Sequence, residues 1–138
     1  MRKRTLGREL ALQLLYQLDI TKEPLKEALG NFWGAHNEDG IDDELIDFTS
    51  GLVEGVICHI DEIDKKISEY AQNWQLKRMA VVDRNIMRLG CFELIYRADI
   101  PSKVSINEAV ELAKKFSGIE GGKFVNAILD KIKAEKDK

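Results

Sequence analysis

Arginine and lysine crowd the start of the chain, with Arg2, Lys3, Arg4 and Arg8 all inside the first eight residues. Guanidinium and ammonium groups so placed can pair with phosphate oxygens, the chemistry by which proteins grip a nucleic-acid backbone. The net charge of −3 opposes that reading only if it is spread evenly. It is not. Residues 1–18 set four bases against Glu9, a net of +3, whereas residues 19–75 hold 14 acids against 4 bases, a net of −10. Residues 76–98 return to +3 and the remainder sums to +1. A surface for a polyanion must therefore be local, built from the N-terminus and the 77–97 segment. A solvated chain start explains the same four bases equally well.

Catalysis needs convergent groups, and the candidates do not converge. His36 lies in an acidic loop. His59 adjoins Cys58, so on a helix the two side chains point about 100° apart. A zinc site ordinarily needs three or four ligands at set spacing. The glycine-rich GIEGG, residues 118–122, has no strand before it, as a phosphate or dinucleotide loop requires, and reads as a helix-to-helix connection. The acids Asp42, Asp43, Glu44, Asp61, Glu62 and Asp64 bunch at expected helix starts, where carboxylates cap amides and complement the dipole. The residues point to a binding protein with no catalytic residue, metal or cofactor. Cys58 and Cys91, in separate segments, read as reduced thiols. No apolar run approaches the roughly 20 residues that span a bilayer, and MRKRTLGREL lacks a signal-peptide apolar stretch. The expectation is a cytoplasmic protein with no membrane partner.

What positions these residues is helical nearly throughout. With 138 residues, 44% hydrophobic and 33% charged, the chain is expected to form one globular domain, 1–138. Leu6, Leu10, Leu14, Leu15 and Leu18 repeat every three to four residues, predicting a first helix over about 4–19. Pro24 suits the start of a second, which would bury Leu25, Ala28, Leu29, Phe32 and Trp33 before the GAHNEDG loop. From Asp42 to Trp74 one apolar stripe runs on through Leu45, Phe48, Leu52, Val56, Ile60, Ile63, Ile67 and Tyr70. That length predicts a break near Ile60–Asp64. After a turn around Leu76–Ala80, another helix carries Ile86, Leu89, Phe92 and Tyr96 and must end before Pro101. Ser105 and Glu108 have the spacing of a capping box, predicting a helix that runs through Ala109, Leu112, Ala113 and Phe116 and stops near Gly118. A last helix is expected after Gly121 and Gly122, buried through Phe124, Val125, Ile128, Leu129 and Ile132. The fold class is all-α, about seven amphipathic helices packed as small bundles.

Three segments then carry a resemblance. DIPSKVSINEAVELAKKFSGIEGGKFVNAILD, residues 99–130, resembles the NusB family pattern of a DIP turn, an INEAVELAK helix and a KFVN helix. VVDRNIMRLGCFEL, residues 81–94, is similar to that family's central helix, and RKRTLGRELALQLLYQLD, residues 2–19, to its arginine-rich opening and LLY helix. Together they cover about half the chain in the family's order. The resemblance implies two three-helix bundles packed together. It also implies binding of boxA RNA in rRNA leader transcripts with the ribosomal protein NusE, within the RNA polymerase antitermination complex, and support of rRNA maturation. Some relatives form homodimers, so a homodimer is allowed for.

Carried over by position, the resemblance gives RNA-binding roles to Arg2, Lys3, Arg4, Arg8, Tyr16, Arg88, Glu120, Lys123, Phe124 and Asn126, and a partner-binding role to Asp83. Thr5 and Leu6 stand where several relatives keep arginine, which thins the basic motif. Tyr16 fits the core as readily as an RNA contact. Phe124 beside Lys123 suits stacking on an unpaired base, while burial against Ile128 is the competing account. Gly121 and Gly122 depart from the family's more usual polar pair. Some rRNA cytosine methyltransferases carry a similar N-terminal module, but no methyl-donor domain follows Lys138, so a free-standing factor is expected. A helical adaptor with an incidental basic end is the reading from a different class.

Overall fold

The computed structural model describes residues 2–36, 40–71 and 76–138, and within them all regular structure is helical. The order is α1 (Lys3–Thr21), α2 (Leu25–Ala35), α3 (Asp43–Cys58), α4 (Ile60–Tyr70), a 3₁₀ turn (Leu76–Arg78), α5 (Val81–Tyr96), α6 (Ser102–Phe116) and α7 (Ile119–Lys136). Packing divides the chain into two units, 1–55 and 56–138. The first holds α1, α2 and most of α3, and the second holds α4 to α7. This division is consistent with the pair of bundles the resemblance implies. Trp74 and residues 37–39 of the GAHNEDG loop lie outside the described residues.

In the first unit α1 buries Leu10, Leu14, Leu15 and Leu18, the stripe read from spacing. It stops where Lys22 takes a left-handed φ of 58° and its N–H reaches the Leu18 carbonyl. Pro24 stands at the N-cap of α2 as expected. Asp42 caps α3 by accepting the Leu45 N–H at 2.9 Å, so this acid serves the helix start. The Thr49 hydroxyl donates to the Gly7 carbonyl at 3.3 Å in the interior, tying α3 to α1.

The second unit is built on α5, α6 and α7, each packed on the other two, with α4 laid against α5 and α7. The break between α3 and α4 falls at His59, one residue ahead of the expected span. Its ring stacks on Tyr96 with centroids 4.0 Å apart and planes 15° from parallel. The Tyr96 hydroxyl donates to Glu62, and that bond, reinforced by burial, pushes the phenol up to about 12. Because the folded value lies above the ordinary one near 10, this contribution to stability is complete below about pH 10. It is lost as pH climbs through about 12. In an alkaline absorbance titration the last tyrosinate step is expected to disappear in Tyr96→Phe. A step that survives would assign it to Tyr70, whose hydroxyl is raised by burial and Glu135.

Two expected helix starts are corrected. α6 begins at Ser102 behind Pro101, so Ser105 lies inside the first turn and caps nothing. Ser105 is buried, and its hydroxyl donates 2.9 Å to the buried Glu93 of α5. α7 begins at Ile119, ahead of Gly121 and Gly122. Gly118, at φ 117° and ψ 179°, reverses the chain by itself, so no longer connection is needed. The two glycines instead permit close approach. A Cβ on Gly121 would stand 2.5 Å from the Ser117 hydroxyl, and one on Gly122 3.0 Å from Lys114 Cγ. Phe116, the last residue of α6, is exposed.

Candidate nucleic-acid interface

In the first unit Arg2, Lys3 and Arg4 are exposed around the start of α1, a helix with no acid in its first turn. Lys3 bridges Asp42 at 2.8 Å and Glu44 at 3.1 Å. Its ammonium holds the Asp42 carboxyl below the usual carboxylate range. The Arg4 guanidinium lies over the Phe48 ring at 4.8 Å from its centroid. Arg8 differs. One turn further into the helix it is only 2% exposed, with its guanidinium 5.5 Å from the same ring. The four bases read together in sequence are thus three at the surface and one beneath, fixed by cation–π contact to Phe48. Phe48 is the residue sequence reasoning missed, since its apolar spacing marked it only as core. Tyr16 is exposed, which removes the core account of it.

In the second unit the starts of α5 and α7 enclose a cleft of about 300 Å³, lined by Met79, Ala80, Asp83, Glu120, Gly121 and Phe124. Three of the expected site residues meet here. Asp83 Oδ1 is buried and accepts no hydrogen bond from the described residues. A desolvated carboxylate oxygen with no donor is costly, which sets Asp83 apart from the other residues lining the cleft. Phe124 is half-buried, and Glu120, one turn earlier on the same face, is exposed. Lys123 does not line the cleft; it is exposed, with its ammonium 3.6 Å from Glu120.

Asn126 does not join them. Two residues past Phe124, it turns about 200° around the helix and lines a separate groove with Lys103, Ile106, Asn107, Asp130 and Lys133. Arg88 is also apart. Its guanidinium is buried and grips Asp64 through two bonds of 2.8 and 2.9 Å, with a third to Asn85 at 3.2 Å. That fork holds α4 against α5 and is not turned to solvent. Among the described residues no three His, Cys, Asp or Glu side chains are arranged to hold a metal ion. No described helix is long and apolar enough to cross a membrane.

These features define an all-helical protein with a basic helix start and a separate aromatic cleft holding an unsatisfied carboxylate. The NusB family model matches residues 5–134. The chain belongs to the NusB family. It is 51% identical over 133 residues to the transcription antitermination protein NusB of Myxococcus xanthus, covering 96% of this chain and 95% of that one. Among solved structures, T. maritima NusB aligns with a TM-score of 0.87 at 33% identity, covering 98% of this chain and 92% of that one. A chain from the crystal structure of antitermination factors NusB and NusE in complex with dsRNA aligns with a TM-score of 0.86 at 30% identity, covering 98% of each chain.

Proposed function

We propose that residues 1–138 act as a single NusB-like RNA-binding domain that binds boxA RNA of rRNA transcripts together with NusE. In this role the chain works in the cytoplasm within the RNA polymerase antitermination complex and catalyses no reaction. The observation that carries the reading is the cleft, where Phe124 offers a stacking face beside Lys123, and Asp83 and Glu120 offer acceptors. The match of the family model through both units supports one functional domain. The likeness to a structure holding NusB, NusE and dsRNA supports both partners.

Each residue takes a role its surroundings allow. Arg2, Lys3 and Arg4 contact phosphates, and Arg8 acts from below by fixing Phe48 and the helix start. Tyr16 adds an exposed ring, and Asp83 accepts a donor from the partner. Glu120 and Phe124 face RNA at the cleft and Lys123 beside it, Asn126 meets RNA only from its own groove, and Arg88 positions α5. With three phosphate contacts at the N-terminus, the log-log salt slope for single-stranded RNA is expected near −2, at roughly −0.7 per contact. Fluorescence titrations of boxA and scrambled RNA, with and without NusE, test the reading. Preference for boxA that strengthens with NusE is expected. Equal weak binding of both RNAs under both conditions would return the chain to the adaptor class. Light scattering on the same samples reads whether the free protein pairs with itself.

A further inference from the structure

Phe116 ends α6 with 44% of its surface in water, although it keeps step with the buried Leu112 and Ala109. Ile119, which opens α7, is 68% exposed. Only Ser117 and Gly118 separate the two helices, so both large apolar side chains belong to one hairpin tip. Leaving this much apolar surface in water forgoes part of the stabilisation that burial would give.

Lysines frame the tip. The Lys115 ammonium lies 5.3 Å from the centroid of the Phe116 ring. Lys114 and Lys123 are exposed, and they reach Glu111 and Glu120 only at 3.4 and 3.6 Å. Exposed ion pairs one turn apart contribute little and are readily exchanged for phosphate. Lys123 follows Ile119 by four residues and shares its side of α7, whereas Phe124 lies about 140° around the helix from Ile119, so the tip and the cleft are neighbouring but distinct faces of one helix start. An apolar protein surface laid here would have to desolvate these lysines. Unpaired nucleotides would not, because every base has a stacking face and every phosphate accepts an ammonium.

We propose that the α6–α7 tip is a second base-stacking platform, with Phe116 as its ring and Lys114 and Lys115 as its phosphate contacts, for unpaired nucleotides flanking the segment bound at the cleft. The proposal rests on the RNA reading above and extends the path of the strand. Fluorescence anisotropy with boxA RNA carrying unpaired flanks tests it on the full chain. Phe116→Ala is expected to weaken binding about tenfold while lowering the melting temperature by only a few degrees at most, because much of the ring is already in water. Phe116→Trp retains a stacking face and should keep native affinity. Lys115→Ala should flatten the salt slope by about 0.7. Native affinity in Phe116→Ala, while Phe124→Ala binds poorly, overturns the platform and leaves the RNA reading standing. Loss of NusE binding with RNA affinity intact assigns the tip to the protein partner and equally overturns it. If the native chain binds none of these RNAs, with or without NusE, the functional reading falls and the platform with it.

Discussion

Arg88→Met is expected to lower the melting temperature by roughly 8 °C, a loss of about 2 kcal/mol, without changing the salt slope of RNA binding. The substitution keeps an unbranched apolar stem but removes the fork that meets both oxygens of Asp64 and the donor to Asn85. Removing one member of a fully buried pair costs about 3–5 kcal/mol. Here the Asp64 side chain is 29% exposed, so water takes over part of its solvation and the smaller figure applies. A second substitution, Asp64→Leu, should recover much of the loss, since an apolar pair can replace an ionic one. Thermal denaturation of the native, single and double variants checks this. A single variant as stable as the native chain, with a flattened salt slope, would return Arg88 to the RNA surface.

Phe124→Ala is expected to weaken RNA binding by about 1 to 3 kcal/mol through the lost stacking face. Its cost in folding should stay near 1 kcal/mol, because the ring is half-buried at the cleft and only part of its area leaves the interior. A fully buried phenylalanine would cost about 3–5 kcal/mol. Phe124→Leu separates the effects further, since it fills the wall of the cleft yet offers no ring. Calorimetric titration of boxA RNA, run beside thermal melts, reads both quantities. A large stability loss with little change in affinity would make Phe124 a packing residue.

Helix number and most boundaries were legible because the apolar period is set by local geometry, and α1, α2 and α5 run within a few residues of where spacing puts them. The failures share one cause. Ser105 and Glu108 have capping-box spacing, but Pro101 starts the helix earlier, and the Glu93 carboxylate in α5 claims the Ser105 hydroxyl. Gly121 and Gly122 read as a break because glycine in a helix costs up to about 1 kcal/mol. They lie inside α7 nonetheless, where a Cβ would crowd the Ser117 and Lys114 side chains, so the residue that weakens the helix is the one the packing accepts. Arg4 and Arg8 look alike in the sequence, yet one is at the surface and the other beneath it, a difference set by Phe48 far along the chain. Phe116 keeps the period of its helix but stands on the last residue, with no further turn to cover it. The division of KFVN was within reach, since 200° of rotation between Phe124 and Asn126 follows from helix geometry alone.

The backbone of Gly118, at φ 117° and ψ 179°, is the mirror image of an ordinary extended residue. At this position the usual chirality of the chain is reversed. A D-alanine there would find its natural conformation, whereas L-alanine would be strained even though no neighbouring atom obstructs it. The turn that joins Phe116 to Ile119 and Lys123 within the second unit is thus held by stereochemistry, and among the twenty coded residues only the achiral one satisfies it without strain.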